Sequence, residues 1–383
     1  RVDGNHNTLT GGDVYGPLSE VAWHHGEGVI LNGNNNTITK YYIHSNWDAG
    51  VSVTGDNNVI GASGSDRNII SINNDGVFLA ATASGNQVIG NYIGTETSGT
   101  GDAGNITGVR VLGSNNQIGG AGAGAGNAIR YSQGANVLVS GSAATGNVIE
   151  ANVIGPTVAP SAPGLVITDL AANNTLRANQ IASSRGAGIH VVSGTGNRLD
   201  RNLVQLNGGL GIDLGAAGVS LNDTGDNDGG ANLLQNFPVI AAVTAGPSTR
   251  VQGSLSSKAN TTYTLQFFTS ATCDASGYGE AETMLGQTTV TTDGSGKAGF
   301  DATFAVDTAP GVAVSATASD PAGNTSELSK CSPARPASSG TPFTVNTTGD
   351  AADLSIGGGT GPCDGICDAS ASAGQQCTLR AAI

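Results

Sequence analysis

Lysine is nearly missing from this chain: Lys40, Lys258, Lys297 and Lys330 are the only ammonium groups in 383 residues. Lysine and arginine together number 15 against 29 acidic residues, a formal charge of −14. Phosphate binding needs clustered cations, so this balance excludes nucleic acid as a partner. Nor does any run reach the roughly eighteen apolar residues of a membrane span. The first residues, RVDGNHNTLTGG, lack the apolar centre of a signal peptide, and the chain reads as one period of something longer. Helical periodicity is absent too, since no stretch places apolar residues at i, i+3, i+4 and i+7 over several turns. Cysteine is confined to Cys273, Cys331, Cys363, Cys367 and Cys377, with no CxxC pair and no nearby histidine, which argues against zinc. Disulfides are the plainer reading: Cys273 with Cys331 and Cys367 with Cys377, Cys363 remaining unpaired, in an oxidising and therefore extracellular setting.

Glycine is plentiful, at 60 residues, and the 38% of hydrophobic residues are placed regularly. Asparagine followed two positions later by an aliphatic recurs as Asn7/Leu9, Asn36/Ile38, Asn58/Ile60, Asn86/Val88, Asn116/Ile118, Asn147/Ile149, Asn174/Leu176 and Asn197/Leu199. The spacings are 29, 22, 28, 30, 31, 27 and 23. A second register runs Gly28-Val29, Gly50-Val51, Gly76-Val77, Gly108-Val109, Gly164-Leu165, Gly188-Ile189 and Gly211-Ile212, missing its glycine only near Asn136-Val137. A third comprises Asn91-Tyr92-Ile93, Asn127-Ala128-Ile129, Asn152-Val153-Ile154, Asn179-Gln180-Ile181 and Asn202-Leu203-Val204. Three short strands per unit leave no room for a helix. Stacked coils bury their aliphatics along one axis, as a parallel β-helix of roughly eight coils and on the order of 40 Å. Glycine and asparagine suit corners that need a left-handed backbone, and asparagine amides can hydrogen-bond from coil to coil. The insertions TETSGTGDAGNIT (95–107) and GGAGAGAGN (119–127) are expected to loop out from one region of the rod.

At these residues the chain resembles the right-handed parallel β-helix (pectate-lyase-like) superfamily, which includes pectin-degrading enzymes, phage tailspikes and bacterial surface proteins. The stretch GIDLGAAGVSLNDTGDNDGGANLLQNFPVI (211–240) is similar to the junction in large secreted bacterial β-helix proteins where the last coil passes to a β-sandwich. The stretch from Phe343 to Ile383 resembles the CSLREA-type segment that introduces a further β-helix, departing from it in Cys377-Thr378-Leu379-Arg380-Ala381-Ala382-Ile383 by Thr for Ser and Ala for Glu. Asparagine thins out after residue 236, and longer alternating runs such as TTYTLQFFTSATC and KAGFDATFAV follow. The expected plan is all-β: a right-handed parallel β-helix over 1–237, an antiparallel immunoglobulin-like β-sandwich over 238–331, a linker over 332–341 and the CSLREA-type segment over 342–383.

Asp223, Asp226 and Asp228 alternate in a glycine-turned loop, an oxygen-ligand pattern suited to calcium, although no glutamate follows at the twelfth position. The competing reading is a solvated acidic turn. Asp48 and Asp75 precede the second-register strands of adjacent coils, with His44, Trp47 and Arg67 near in sequence, as a carboxylate pair for glycan cleavage would require. Against this, Asp48 stands three positions before Val51 and Asp75 two before Val77, and the next coil offers Ile106 and Thr107 instead of a third aspartate. Trp23-His24-His25 suggests sugar stacking or metal, or simply a polar edge. Sequons such as Asn105-Ile106-Thr107 and Asn260-Thr261-Thr262 arise by chance in an asparagine-rich repeat. The expectation is therefore a secreted or surface-displayed structural or adhesive protein, a unit of a fibre or filament that associates head-to-tail, with no catalytic residue assigned. The alternative is a β-helix protein that binds or cleaves polysaccharide.

Overall fold

The computed structural model describes residues 1–11 and 19–337, and residues 1–335 form one compact unit. The CSLREA-type segment, with Cys363, Cys367 and Cys377, lies outside the described residues. Up to Leu214 every named strand pairs in parallel, in three sheets of eight strands. The first sheet runs from Thr8–Thr10 to Arg198–Asp200, the second from Ser19–Ala22 to Leu203–Gln205, and the third from Val29–Leu31 to Ile212–Leu214. The chain visits the sheets in turn and each strand pairs with its counterpart one coil on: this is a parallel β-helix.

Register follows the sequence repeat. Leu9 pairs with Ile38, Ile60 with Val88, Ile118 with Ile149, and Leu176 with Leu199. In the third sheet Val51 pairs with Val77, Val109 with Val137, and Ile189 with Ile212. These aliphatics fall into one continuous core, most of them wholly buried. Alternation drives this arrangement, because each strand turns every second side chain inward and a one-residue slip would expose the whole set.

Asparagine ladders fasten the corners. In the ladder before the first sheet, each Oδ1 accepts the backbone N–H of the asparagine one coil earlier at 2.8–3.2 Å, from Asn7 through to Asn197. A second ladder, Asn68, Asn91, Asn127, Asn152, Asn179 and Asn202, precedes the second sheet. A third, through Asn46, Asn73 and Asn105, precedes the third sheet and was not anticipated. The left-handed residue is not the ladder asparagine but commonly the one before it: Asn35, Asn57, Asn173, Ser45, Ile72, Ala151, Ala178 and Arg201 all have φ of 53–58°.

The second-register glycines are explained differently from what the sequence suggested. Gly28, Gly50, Gly76 and Gly108 do not occupy the left-handed region; they are needed for close approach. A methyl group on Gly76 would stand 2.5 Å from the Gly108 carbonyl oxygen, and one on Gly50 would stand 2.8 Å from that of Gly76. The two insertions also differ from expectation, leaving the rod at two different corners. Residues 95–106 follow a strand of the second sheet, whereas 120–127 precede one.

From Val239 onwards the sheets are antiparallel. Lys297–Phe304, Thr249–Ser256 and Val239–Ala245 are neighbours in one sheet, and Thr283–Thr291, Thr262–Ser270 and Ala313–Ser319 in the other. Val251, Tyr263, Phe267 and Val314 give them a common core. Cys273 and Cys331 are joined by a disulfide. Among the described residues helix is limited to two 3₁₀ turns, and no helix is long and apolar enough to cross a membrane.

These antiparallel sheets close the far end of the rod. The last coil has backbone N–H groups that would pair with a further coil, and other groups accept them instead. Gly196 N–H donates to Asn324 Oδ1, Asn197 to Asn232 Oδ1, Leu199 to Thr325 Oγ1, Arg201 to Gln266 Oε1 and Leu214 to Glu327 Oε1, at 2.7–3.0 Å. Val204 and Ala281 exchange both backbone hydrogen bonds. Phe268, Ala281 and Leu328 complete the apolar core at this end.

Candidate functional site

The corner between the second and third sheets carries the sequence-derived candidates. Asn46 and Asn73, adjacent rungs of the third ladder, each stand two residues before an aspartate. Strand pairing sets Ala49, rather than Asp48, opposite Asp75, and Asp75 opposite Thr107. That one-residue offset separates the two carboxylates in character. Asp48 is exposed on the turn, whereas Asp75 lies in the strand at 8% exposure.

Both line a cleft of about 320 Å³ with Glu27, Ser52, Asn74, Phe78 and Arg110. Arg110 is the one cation among the described residues of its wall, and its Nε lies 3.2 Å from Asp75 Oδ2. Asp75 Oδ1 is buried with no hydrogen-bond partner. Burial raises the Asp75 pKa above the ordinary aspartate value and the Asp48 charge adds to this, while Arg110 and the Thr107 hydroxyl pull the other way.

The two tryptophans of the chain stand on the same corner, between strands of the second and third sheets. Trp23 and Trp47 are 73% and 68% exposed, and they offer aromatic faces to solvent on adjacent coils. Trp47 immediately precedes Asp48 and stacks on His25, with centroids 4.5 Å apart and planes 13° from parallel. Trp23 meets the His44 ring edge-on at 6.3 Å. His44 is tied down by Glu20 Oε1 at 2.8 Å and Ser45 Oγ at 3.0 Å, so it braces the corner. His24 donates its backbone N–H to Asn46 Oδ1. Arg67 belongs elsewhere: its guanidinium lies 4.0 Å over the Tyr92 ring and its Nε donates to the Gly64 carbonyl, away from the cleft.

The Asp223, Asp226 and Asp228 side chains converge, with one carboxylate oxygen from each within 4.8 Å of the others. Asp226 is buried and accepts hydrogen bonds from Ser257 Oγ, Gln235 Nε2 and Asn236 N, which tie the loop to the first antiparallel sheet. Burial raises its pKa and that of Asp228, whose Oδ1 is buried without a hydrogen-bond partner.

Two larger cavities, of about 570 and 640 Å³, were not read from the sequence; both are lined by Arg185 and Gly208. The smaller also has His190, Asp213 and Asp274 in its wall. Asp213 is 5% exposed, and the sequence signal for it was an acid set between Ile212 and Leu214 in a wholly buried strand. None of the three cavities has a tryptophan among its lining residues.

No protein-family model and no curated protein matches the chain. Among solved structures it is similar to a point mutant of a periplasmic alginate epimerase, at 13% identity and a TM-score of 0.31, over 57% of this chain and 47% of that one. It is also similar to the enzymatically active domain of bacteriophage CBA120 tailspike protein 2, at 10% identity and a TM-score of 0.29, over 79% of this chain and 56% of that one. The chain thus spans about half the length of the solved structures it matches.

Proposed function

We propose that this protein binds polysaccharide on the side of its β-helix, with Trp23 and Trp47 as stacking platforms and the cleft of Asp48, Asp75 and Arg110 as the polar contact. The observation that carries the proposal is the pair of exposed tryptophans on the same corner as a cleft whose buried carboxylate retains a free acceptor atom. Ring faces take the C–H surface of a sugar, while the carboxylates and arginine fix its hydroxyls.

The filament expectation is less well supported. Addition of a coil at the far end needs an open edge, and side chains of Asn232, Thr325 and Glu327, from turns and loops beyond Leu214, occupy that edge. A place outside the cell belongs to the same proposal, supported by the Cys273–Cys331 bridge.

Co-sedimentation with a panel of insoluble and soluble polysaccharides tests the reading. Trp23→Ala and Trp47→Ala are each expected to weaken binding about fivefold, the ~1 kcal/mol scale of one aromatic contact, with little change in Tm. Undiminished binding by the double variant overturns the proposal.

A further inference from the structure

Within the reading of a glycan-binding side face, on which this inference rests, the charge of the cleft selects the kind of sugar. Three carboxylates, Glu27, Asp48 and Asp75, meet there, and the lone arginine is already paired with one of them. Asp75 Oδ1 is buried, has no hydrogen-bond partner and belongs to a residue that is 8% exposed. An acceptor left in that state calls for a donor from outside, and an N–H⁺ group makes a hydrogen bond roughly twice as strong as a neutral donor does. An acidic sugar would instead bring a fourth carboxylate against the three. The net charge of −14 repels such a polymer at longer range as well.

We propose that the cleft takes a polysaccharide of 2-amino sugars with free amines, an ammonium group seated between Asp75 Oδ1 and the exposed carboxylate of Asp48 while neighbouring rings lie on Trp47 and Trp23. Stacking holds the chain of sugars, and the ammonium sets which chain is held.

The molecule supplies its own reporter, because Trp23 and Trp47 are its only two tryptophans. Tryptophan fluorescence of the full chain is titrated with tetramers of β-1,4-linked glucosamine, N-acetylglucosamine and galacturonate. A chelator is present, so that no divalent ion bridges carboxylates, and the pH keeps the amine protonated. The glucosamine tetramer is expected to bind at least tenfold more tightly than its N-acetylated counterpart and the galacturonate tetramer to bind least. The preference should shrink as salt is raised. Asp48→Asn, at an exposed position, and Asp75→Asn should each bring the ratio of glucosamine to N-acetylglucosamine affinity towards one. Equal affinities in the parent protein, tighter binding of galacturonate, or a ratio that survives both substitutions overturns the inference and leaves glycan binding standing. No response to any tetramer removes glycan binding and the inference together.

Discussion

At the scale of single residues, the ladder asparagines do what no other side chain could. Asn152 accepts from the backbone N–H and the Nδ2 of Asn127 through one oxygen, and donates its own amide to the Ile118 carbonyl and to Asn179 Oδ1. All of this lies in the interior, so Asn152→Leu strands several polar groups at about 1–3 kcal/mol each. Chemical denaturation should show a loss on the order of 3 kcal/mol or more. A loss below about 1 kcal/mol would mean that the ladder is ornamental. Two ladders were legible in the sequence, because an aliphatic follows each rung two residues on. The third was hidden because Asn46, Asn73 and Asn105 are followed there by Asp48, Asp75 and Thr107. The same residues that carry the cleft thus concealed the ladder that positions it.

At the scale of coils and loops, the glycine register was visible but its cause was not, since a sequence does not say how closely two backbones pass. Gly76→Ala presses a methyl group against the Gly108 carbonyl and the Asn105 amide. The expected cost is about 1–3 kcal/mol, the scale of overpacking, even though alanine suits the backbone angles there. A variant as stable as the parent in urea unfolding would show that the coils can move apart freely. The acidic loop is measurable in the same way. An ion bound by Asp223, Asp226 and Asp228 stabilises by mass action, so the calcium expectation requires a higher Tm in millimolar calcium than in chelator, and a loss of that difference in Asp228→Asn. Identical melting curves would retire calcium and leave Asp226 as a hydrogen-bonded post.

At the scale of the whole molecule, what the sequence could not display is the closing of the rod, because the acceptors come from residues far along the chain from the coil they cover. Leu214 and Glu327 are 113 positions apart, and Gly196 and Asn324 are 128. No local pattern announces such a match. The closure carries a pH signature: burial pushes Glu327 and Glu280 up to about 7, well above an ordinary glutamate. The folded state therefore holds protons that the unfolded chain has released. The contribution of these two glutamates to stability is greatest below the ordinary glutamate range and declines as pH rises from there through about 7. Tm should fall between pH 5 and pH 8, with a shallower fall in Glu280→Gln. A Tm that rises across this window, or an unchanged slope in the variant, contradicts the assignment.

The order of synthesis gives that closure a further meaning. A chain made from its amino end completes the last coil long before Asn324, Thr325 and Glu327 exist to cover it. For the whole of that interval the nascent rod shows a bare parallel edge of the kind that recruits strands from neighbouring molecules. Ribosomes translating one message side by side would hold many such edges close together. Premature termination between residues 215 and 323 should therefore yield aggregates rather than shorter soluble rods.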